Sequence, residues 1–432
     1  MSVLTKNAPV SVARVRELVA GGATPQRLRR VGAVLLVGAL LAGVVGLANG
    51  LSRADAVGSE GARLATLSAD AAEIYRALAD ADAMATSGYV SGGTEPAAVR
   101  DRYDSDVSAA SERLVRAAAG LADDDPAADD VVTITSNLPV YTAFVESART
   151  YNRLGLPLGQ SYLGAASNLM RETILPAAAT LRTAENTALD ATLARGGTLP
   201  FAVVVLGIAA LVGLVHASIR ERRRTNRVIN PGLVGAVAAL VVLVGWWVVA
   251  TAVAGGALRG ADRHGDAARA LDDAHAAALQ ARSNESLVLV ARGGAGASDQ
   301  GFTVQIDRIL APGALLDTAA AADPDADLST VRAAAERWRD AHVALRALDD
   351  GGRFPEAVAS ATGTDPQGSG ATFQALDAAL GSATAAQRAA FADDAAVARA
   401  AVGALPVVSV VLGVLAAVGI VLGIGRRLGE YR

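Results

Sequence analysis

Four runs of apolar residues, 31–51, 199–215, 233–254 and 404–424, interrupt an otherwise charge-speckled chain, and none of them holds an ionisable side chain. Each has roughly the 17–25 residues a helix needs to cross a bilayer, so the pattern predicts four transmembrane helices. They divide the 432 residues into a short head (1–30), a polar block (52–198), a short loop (216–232), a second polar block (255–403) and a tail (425–432). The two blocks are almost equal in length, which is the layout of a duplicated two-span hairpin.

Within the blocks the spacing is helical. Leu64, Leu67, Ala71, Ile74, Leu78, Ala81, Ala85 and Gly88 step by three and four as a heptad seam. No strong breaker separates this stripe from the first span, so the helix is expected to continue out of the membrane until Gly92-Gly93. Glu95-Pro96 starts a second helix over about 97–121. Asp123-Asp124-Asp125-Pro126 is a turn that supplies an N-cap for a third over 127–153. A fourth returns through Leu163, Ala166, Met170, Ala177, Leu181, Ala184 and Ala188. Four antiparallel helices with short connections make an up-and-down bundle.

The second block repeats this plan. Leu271, Leu279 and Leu287 lead to Gly293-Gly294, at an offset of 201 from Gly92-Gly93, and Leu405-Pro406 follows Leu199-Pro200 at an offset of 206. Residues 301–310 predict only a short helix, whereas Leu328, Val331, Ala335, Trp338, His342 and Leu345 form a strong seam. The Gly-, Asp-, Pro- and Ser-rich stretch 349–370 reads as a mobile cap or a disordered connection. The predicted fold class is an all-α membrane protein with four transmembrane helices and two extracytoplasmic up-and-down helical bundles arising from an internal duplication.

Charge orients the spans. The head holds Lys6, Arg14, Arg16, Arg27, Arg29 and Arg30, the loop Arg220, Arg222, Arg223, Arg224 and Arg227, and the tail Arg426, Arg427 and Arg432, against the three acids Glu17, Glu221 and Glu430. That is +11 on these segments, which leaves −15 for the two polar blocks within a formal total of −4. Short arginine-rich flanks stay cytoplasmic, so a plasma-membrane protein with both termini and the loop inside is expected. The first span is too long for a signal-peptide core and lacks a clean cleavage site. The arginines are candidate contacts for a cytoplasmic partner or for anionic lipid.

Chemistry is sparse. There is no cysteine, and aromatic residues are 4% of the chain, which excludes thiol chemistry and argues against a nucleic-acid stacking platform. His264 and His275 share a helix face, but no HxxxH or HExxH pair accompanies them. The glycine-rich 363–370 lacks the lysine and strand of a phosphate loop. No enzyme, metal or cofactor is expected. The spans offer only weakly polar groups such as Thr251 and Ser409, a poor basis for transport. Gly419 and Gly423 form a GxxxG pattern that serves either packing within the chain or a homodimer, and Trp246 and Trp247 fall within the third span, where packing is the simplest role. Pro200 and Pro406 stand where each block re-enters the membrane. Proline removes a backbone donor and clashes with the preceding turn, so both are expected to act as signal-transmission hinges.

The paired spans, the inner Arg220-Glu221-Arg222-Arg223-Arg224 with Asn230-Pro231-Gly232, and the terminal Gly425-Arg426-Arg427-Leu428-Gly429-Glu430-Tyr431-Arg432 together resemble the actinobacterial GlnX family of four-span membrane proteins. The bundles also resemble the outer modules of chemoreceptors and sensor kinases. The GlnX resemblance implies a relay that reports extracellular amino-acid availability from the solute-binding lipoprotein GlnH to the cytoplasmic Ser/Thr kinase PknG. A direct small-molecule sensor and a structural envelope protein are the alternatives.

Overall fold

The computed structural model describes residues 24–92, 95–121, 125, 127–198, 200–225, 230–291 and 296–429, and all regular structure among them is helical. Four helical stretches are long and apolar enough to cross a membrane: Arg29–Val90, Leu158–Arg220, Pro231–Ala291 and Ser369–Arg426. The chain divides into two compact units. One, the span unit, comprises Met1–Ser59, Leu193–Leu258 and Ala396–Arg432; the other, the polar unit, comprises Glu60–Thr192 and Arg259–Ala395.

In the span unit α1 (Thr24–Val57) packs along α14 (Leu405–Gly429) and α7 (Phe201–Thr225), and the start of α8 (Pro231–Ala291) completes the group. Backbones approach closely where glycines face one another. A side chain at Gly413 would lie 3.0 Å from the Cα of Gly43, and one at Gly419 would lie 2.7 Å from the carbonyl oxygen of Gly232. The GxxxG pair is therefore occupied by packing within the chain, with Gly423 against Leu233. Trp247 is fully buried and donates its indole N–H to Ser409 Oγ at 3.0 Å, while Trp246 stays on the surface.

The polar unit joins both sequence blocks around one continuous apolar core. The first block supplies α2 (Ser59–Val90), α3 (Ala97–Gly120), α4 (Ala127–Arg153), α5 (Leu158–Leu169) and α6 (Leu175–Gly197). The seam from Leu64 to Gly88 is buried throughout. Gly92, at φ +78°, lets the chain turn after α2, and Asp125 caps the next turn by accepting the Ala127 amide at 3.0 Å. Gly93, Asp123, Asp124, Pro126, Gly293 and Gly294 lie outside the described residues.

Three expectations need correction. The helix returning to the membrane is broken by a π-turn over Met170–Ile174, directly before Pro176. Proline has no N–H and clashes with the carbonyl four residues back, and one wide turn relieves both problems. The turn shifts the buried stripe, so Glu185 and Leu189 face inward where Ala184 and Ala188 were expected. Second, the helix expected over 301–310 is longer, α9 (Gly296–Leu310), and α10 (Leu315–Ala322) follows it before α11 (Ser329–Asp350). Third, 349–370 is not a structureless connection: it folds as α12 (Phe354–Thr362), with Ala357 and Ala361 buried against Leu289 and Leu345, before α13 (Ser369–Gly403).

Candidate functional site

The core of the polar unit is crossed by a polar seam where α2 meets α8. Every residue of 77–88 is buried, as is every residue of 281–286, so both helices are surrounded on all sides and their polar side chains must find partners inside. Ser87 and Ser286 hydroxyls pair at 3.2 Å. Asp82 Oδ1 accepts from Ser167 of α5 at 2.9 Å and Oδ2 from Ser283 of α8 at 2.7 Å. One carboxyl thus ties three helices. It has no cation in direct contact among the described residues, and burial pushes its pKa up despite the two hydroxyl donors and the more distant charge of Arg171. Beside it the hydroxyls of Tyr141 and Tyr103 and the Nε of Arg149 are buried without a hydrogen-bond partner among the described residues. The Arg149 guanidinium stacks over the Tyr103 ring at 4.3 Å and bonds Glu95 and Glu146.

Further along α8, Glu285 is fully buried but amply compensated. It accepts from Arg282 Nη1 at 2.6 Å and from Ser369 Oγ, and pairs with His342 Nδ1 at 2.9 Å. Burial is the largest influence on its pKa and pushes it up, yet these partners together outweigh it and hold the carboxyl below its ordinary range. His342 stacks on Phe302 at 3.5 Å, Trp338 donates to Ser369 at 3.0 Å, and Arg282 Nη2 bonds the Ala361 carbonyl at 2.7 Å. The α12 connection therefore locks this cluster.

A third cluster clasps the two sequence blocks together. Arg102 of α3 donates to Asp80 of α2 at 2.9 Å and to Asp377 of α13 at 2.8 Å, and His275 of α8 pairs with Asp377 at 2.7 Å. Burial acts against the Asp377 charge, but His275 and Arg102 bring its pKa down to about 2. His264 instead meets Gln387 at 2.8 Å and Asp323 at 3.4 Å, so the two histidines weighed as joint metal ligands have separate partners. Among the described residues no group of three His, Cys, Asp or Glu side chains is arranged to hold a metal.

In the span unit three helical stretches are interrupted: at Gly58 between α1 and α2, at Thr198 and Pro200 between α6 and α7 (Leu199 lies outside the described residues), and at Ala404 between α13 and α14. Helix α8 alone runs without a break. Pro200 and Pro406 sit at two of these joints, both buried. Pro406 is the second residue of α14, where its missing N–H costs no helical bond, and Gly50 of α1 lies against it: a side chain there would be 2.9 Å from its nitrogen. Arg53, buried on α1, donates to the Gly196 carbonyl at 3.0 Å and to the Thr198 carbonyl, satisfying acceptors that the end of α6 leaves free. Arg399 reaches the Val57 carbonyl at 3.4 Å. Sequence reasoning singled out the prolines and missed these arginines, whose only signal was a cation standing just outside an apolar run.

Of the predicted inner contacts, Arg220 and Arg426 are exposed on α7 and α14. The side chains of Arg222, Arg223, Arg224 and Arg427, and Arg227 as a whole, lie outside the described residues.

On a third face, α3 and α4 enclose an apolar groove of about 420 Å³ lined by Val107, Leu114, Val115, Leu138 and Pro139. Helix α4 carries no charged side chain from Val131 to Val145.

A family model described as an actinobacterial sensor domain matches residues 48–194, the first block with the end of the first span. No curated protein and no solved structure matches the chain. With the four membrane-crossing helices, the match fits a multi-pass membrane protein with a sensor role, of actinobacterial type.

Proposed function

We propose that this chain is a transmembrane signal relay that reports extracellular amino-acid availability to a cytoplasmic Ser/Thr kinase and carries out no chemistry itself. The polar unit receives a solute-binding lipoprotein similar to GlnH. The arginines at the other ends of the spans, Arg220, Arg222, Arg223, Arg224, Arg227, Arg426 and Arg427, meet a kinase similar to PknG, or the anionic lipid beside it. The observation that carries this reading is the sensor-domain match to 48–194: the matched block holds most of the buried polar atoms that lack a partner among the described residues, which is where a binding event most easily changes the packing. Pro200 and Pro406 serve as hinges, and unbroken α8 is the rigid member beside them. Both termini and the arginine loop lie in the cytoplasm.

Crosslinking in native membranes with glutamate or aspartate present, read by mass spectrometry, tests the relay. It is expected to recover a solute-binding lipoprotein on the polar unit and a kinase on the arginine loop. Recovery of neither partner contradicts it.

A direct small-molecule sensor is the second reading, favoured by the orphan hydroxyls of Tyr103 and Tyr141 beside Asp82. Calorimetric titration of the purified full chain with glutamate separates the two, because the relay binds no free amino acid tightly.

A further inference from the structure

Asp80 on α2 and Asp106 on α3 are 1% and 7% exposed, and each keeps one oxygen, Asp80 Oδ1 and Asp106 Oδ2, with no donor among the described residues. Both carboxyls meet the Arg76 guanidinium, at 3.4 and 3.9 Å, which makes them neighbours across α2 and α3. Two ionised carboxylates cannot satisfy each other, since both only accept. One proton between them removes both orphans at once. We propose that Asp80 and Asp106 form a proton-binding site, one proton bridging Asp106 Oδ2 to Asp80 Oδ1, and that its release loosens the Arg102 clasp between the two sequence blocks.

The surrounding charges fit a single bound proton. The groups facing Asp106 are Asp80 and Arg76 on α2 and Arg102 on its own helix. Arg76 lies 3.4 Å from Asp80 and 3.9 Å from Asp106, but its closest partner is Glu73 at 2.6 Å. Arg102 is divided between Asp80 and Asp377, and Asp377 also holds His275. Glu73 also meets Arg113 at 3.8 Å and Asp377 has His275, so the cations left to the Asp80–Asp106 pair are Arg76 and Arg102, each shared with another carboxyl. Loss of the proton to solvent leaves Asp80 and Asp106 both charged in a buried site. Arg102, which of these two arginines is the one shared with the second block, is then drawn toward the pair and away from Asp377.

Burial first, and then the charge of Asp80, push the Asp106 pKa up to about 8. The sign of the pH dependence follows. The folded chain keeps a proton that an unfolded aspartate gives up at about pH 4, so this group's contribution to stability declines as pH rises from about 4 through about 8 and is level above that.

Infrared difference spectra of the full chain in lipid nanodiscs between about pH 6 and about pH 9 test the site, since that window brackets the titration. A carboxylic-acid carbonyl band is expected at the lower pH and absent at the higher. Asp106→Asn, which keeps the shape and can donate as the acid does, is expected to abolish this change, and Asp82→Asn to leave it intact. A band unaffected by Asp106→Asn, or removed by Asp82→Asn instead, overturns the site. The clasp is read separately. Because the chain has no cysteine, Ser105→Cys on α3 and Ala378→Cys on α13, both exposed, take spin labels specifically. Their distance distribution is expected to change above the titration in the parent chain and to stay fixed with Asp106→Asn; no change in the parent overturns the switch.

Discussion

Glu285 on α8 and Asp82 on α2 are both withdrawn from water in the polar unit, yet their surroundings differ in kind. Glu285 has a guanidinium, an imidazole and a hydroxyl on its two oxygens. Asp82 has two serine hydroxyls and the nearby Tyr141 phenol, which makes no well-formed bond to it. Taking a charge out of water costs several kcal/mol, and only close compensation recovers it. The second block therefore holds Glu285 charged and fixed, whereas at Asp272 of the same block burial outweighs Arg388 and pushes the pKa up. The first block has carboxyls that burial pushes toward the neutral form, at Asp82 and again at Asp106. At these two clusters the second block behaves as a frame and the first as the adjustable part, and the sensor-domain match falls on the adjustable one.

The contrast is most severely broken by Arg282→Ala. The variant leaves Glu285 with His342 and Ser369 alone and strips the Ala361 carbonyl of its donor, for a loss of about 3–5 kcal/mol. A large fall in the thermal unfolding midpoint of the full chain in detergent is expected, and an unchanged midpoint argues against a compensated frame. A smaller pair of changes sharpens the difference. Ser369→Ala removes the acceptor of Trp338 and a donor to Glu285, and is expected to cost about 1–3 kcal/mol. Tyr141→Phe removes a hydroxyl that lies close to Asp82 without a well-formed hydrogen bond, and is expected to cost no more than about 1 kcal/mol. Equal losses from the two would remove the distinction between the blocks.

Much of this architecture is legible in the sequence because it rests on periodicity. The stripe from Leu64 to Gly88 is buried at every position named for it, and the expected limits of the third helix coincide with Ala127–Arg153. The polar seam was not legible. Asp80, Asp82 and Asp106 look like the other acidic residues among 43; nothing marks Asp106, and only the second, off-stripe face of 77–88 distinguishes Asp80 and Asp82: it offers Ala, Asp, Thr and Ser but no long charged side chain. That composition suits a helix enclosed on all sides. The π-turn had a visible cause in Pro176, whose effect on register is local backbone geometry that a three-and-four count does not contain. The stretch 349–370 was misread because its glycines and aspartates dominate an average taken across Phe354–Thr362, where Phe-Pro opens a helix and Ala357 and Ala361 already share a face.

Amide hydrogen exchange of the full chain in nanodiscs, corrected for intrinsic rates, tests most directly whether the first block is the yielding half. Residues 77–88 and 281–286 are equally buried, so burial alone predicts equal protection for them. The account predicts that 77–88, with Asp82 and the neighbouring α3, opens at a lower free energy than 281–286, and that the gap widens above the titration of Asp106. Equal protection of the two segments, or slower exchange in 77–88, would contradict it.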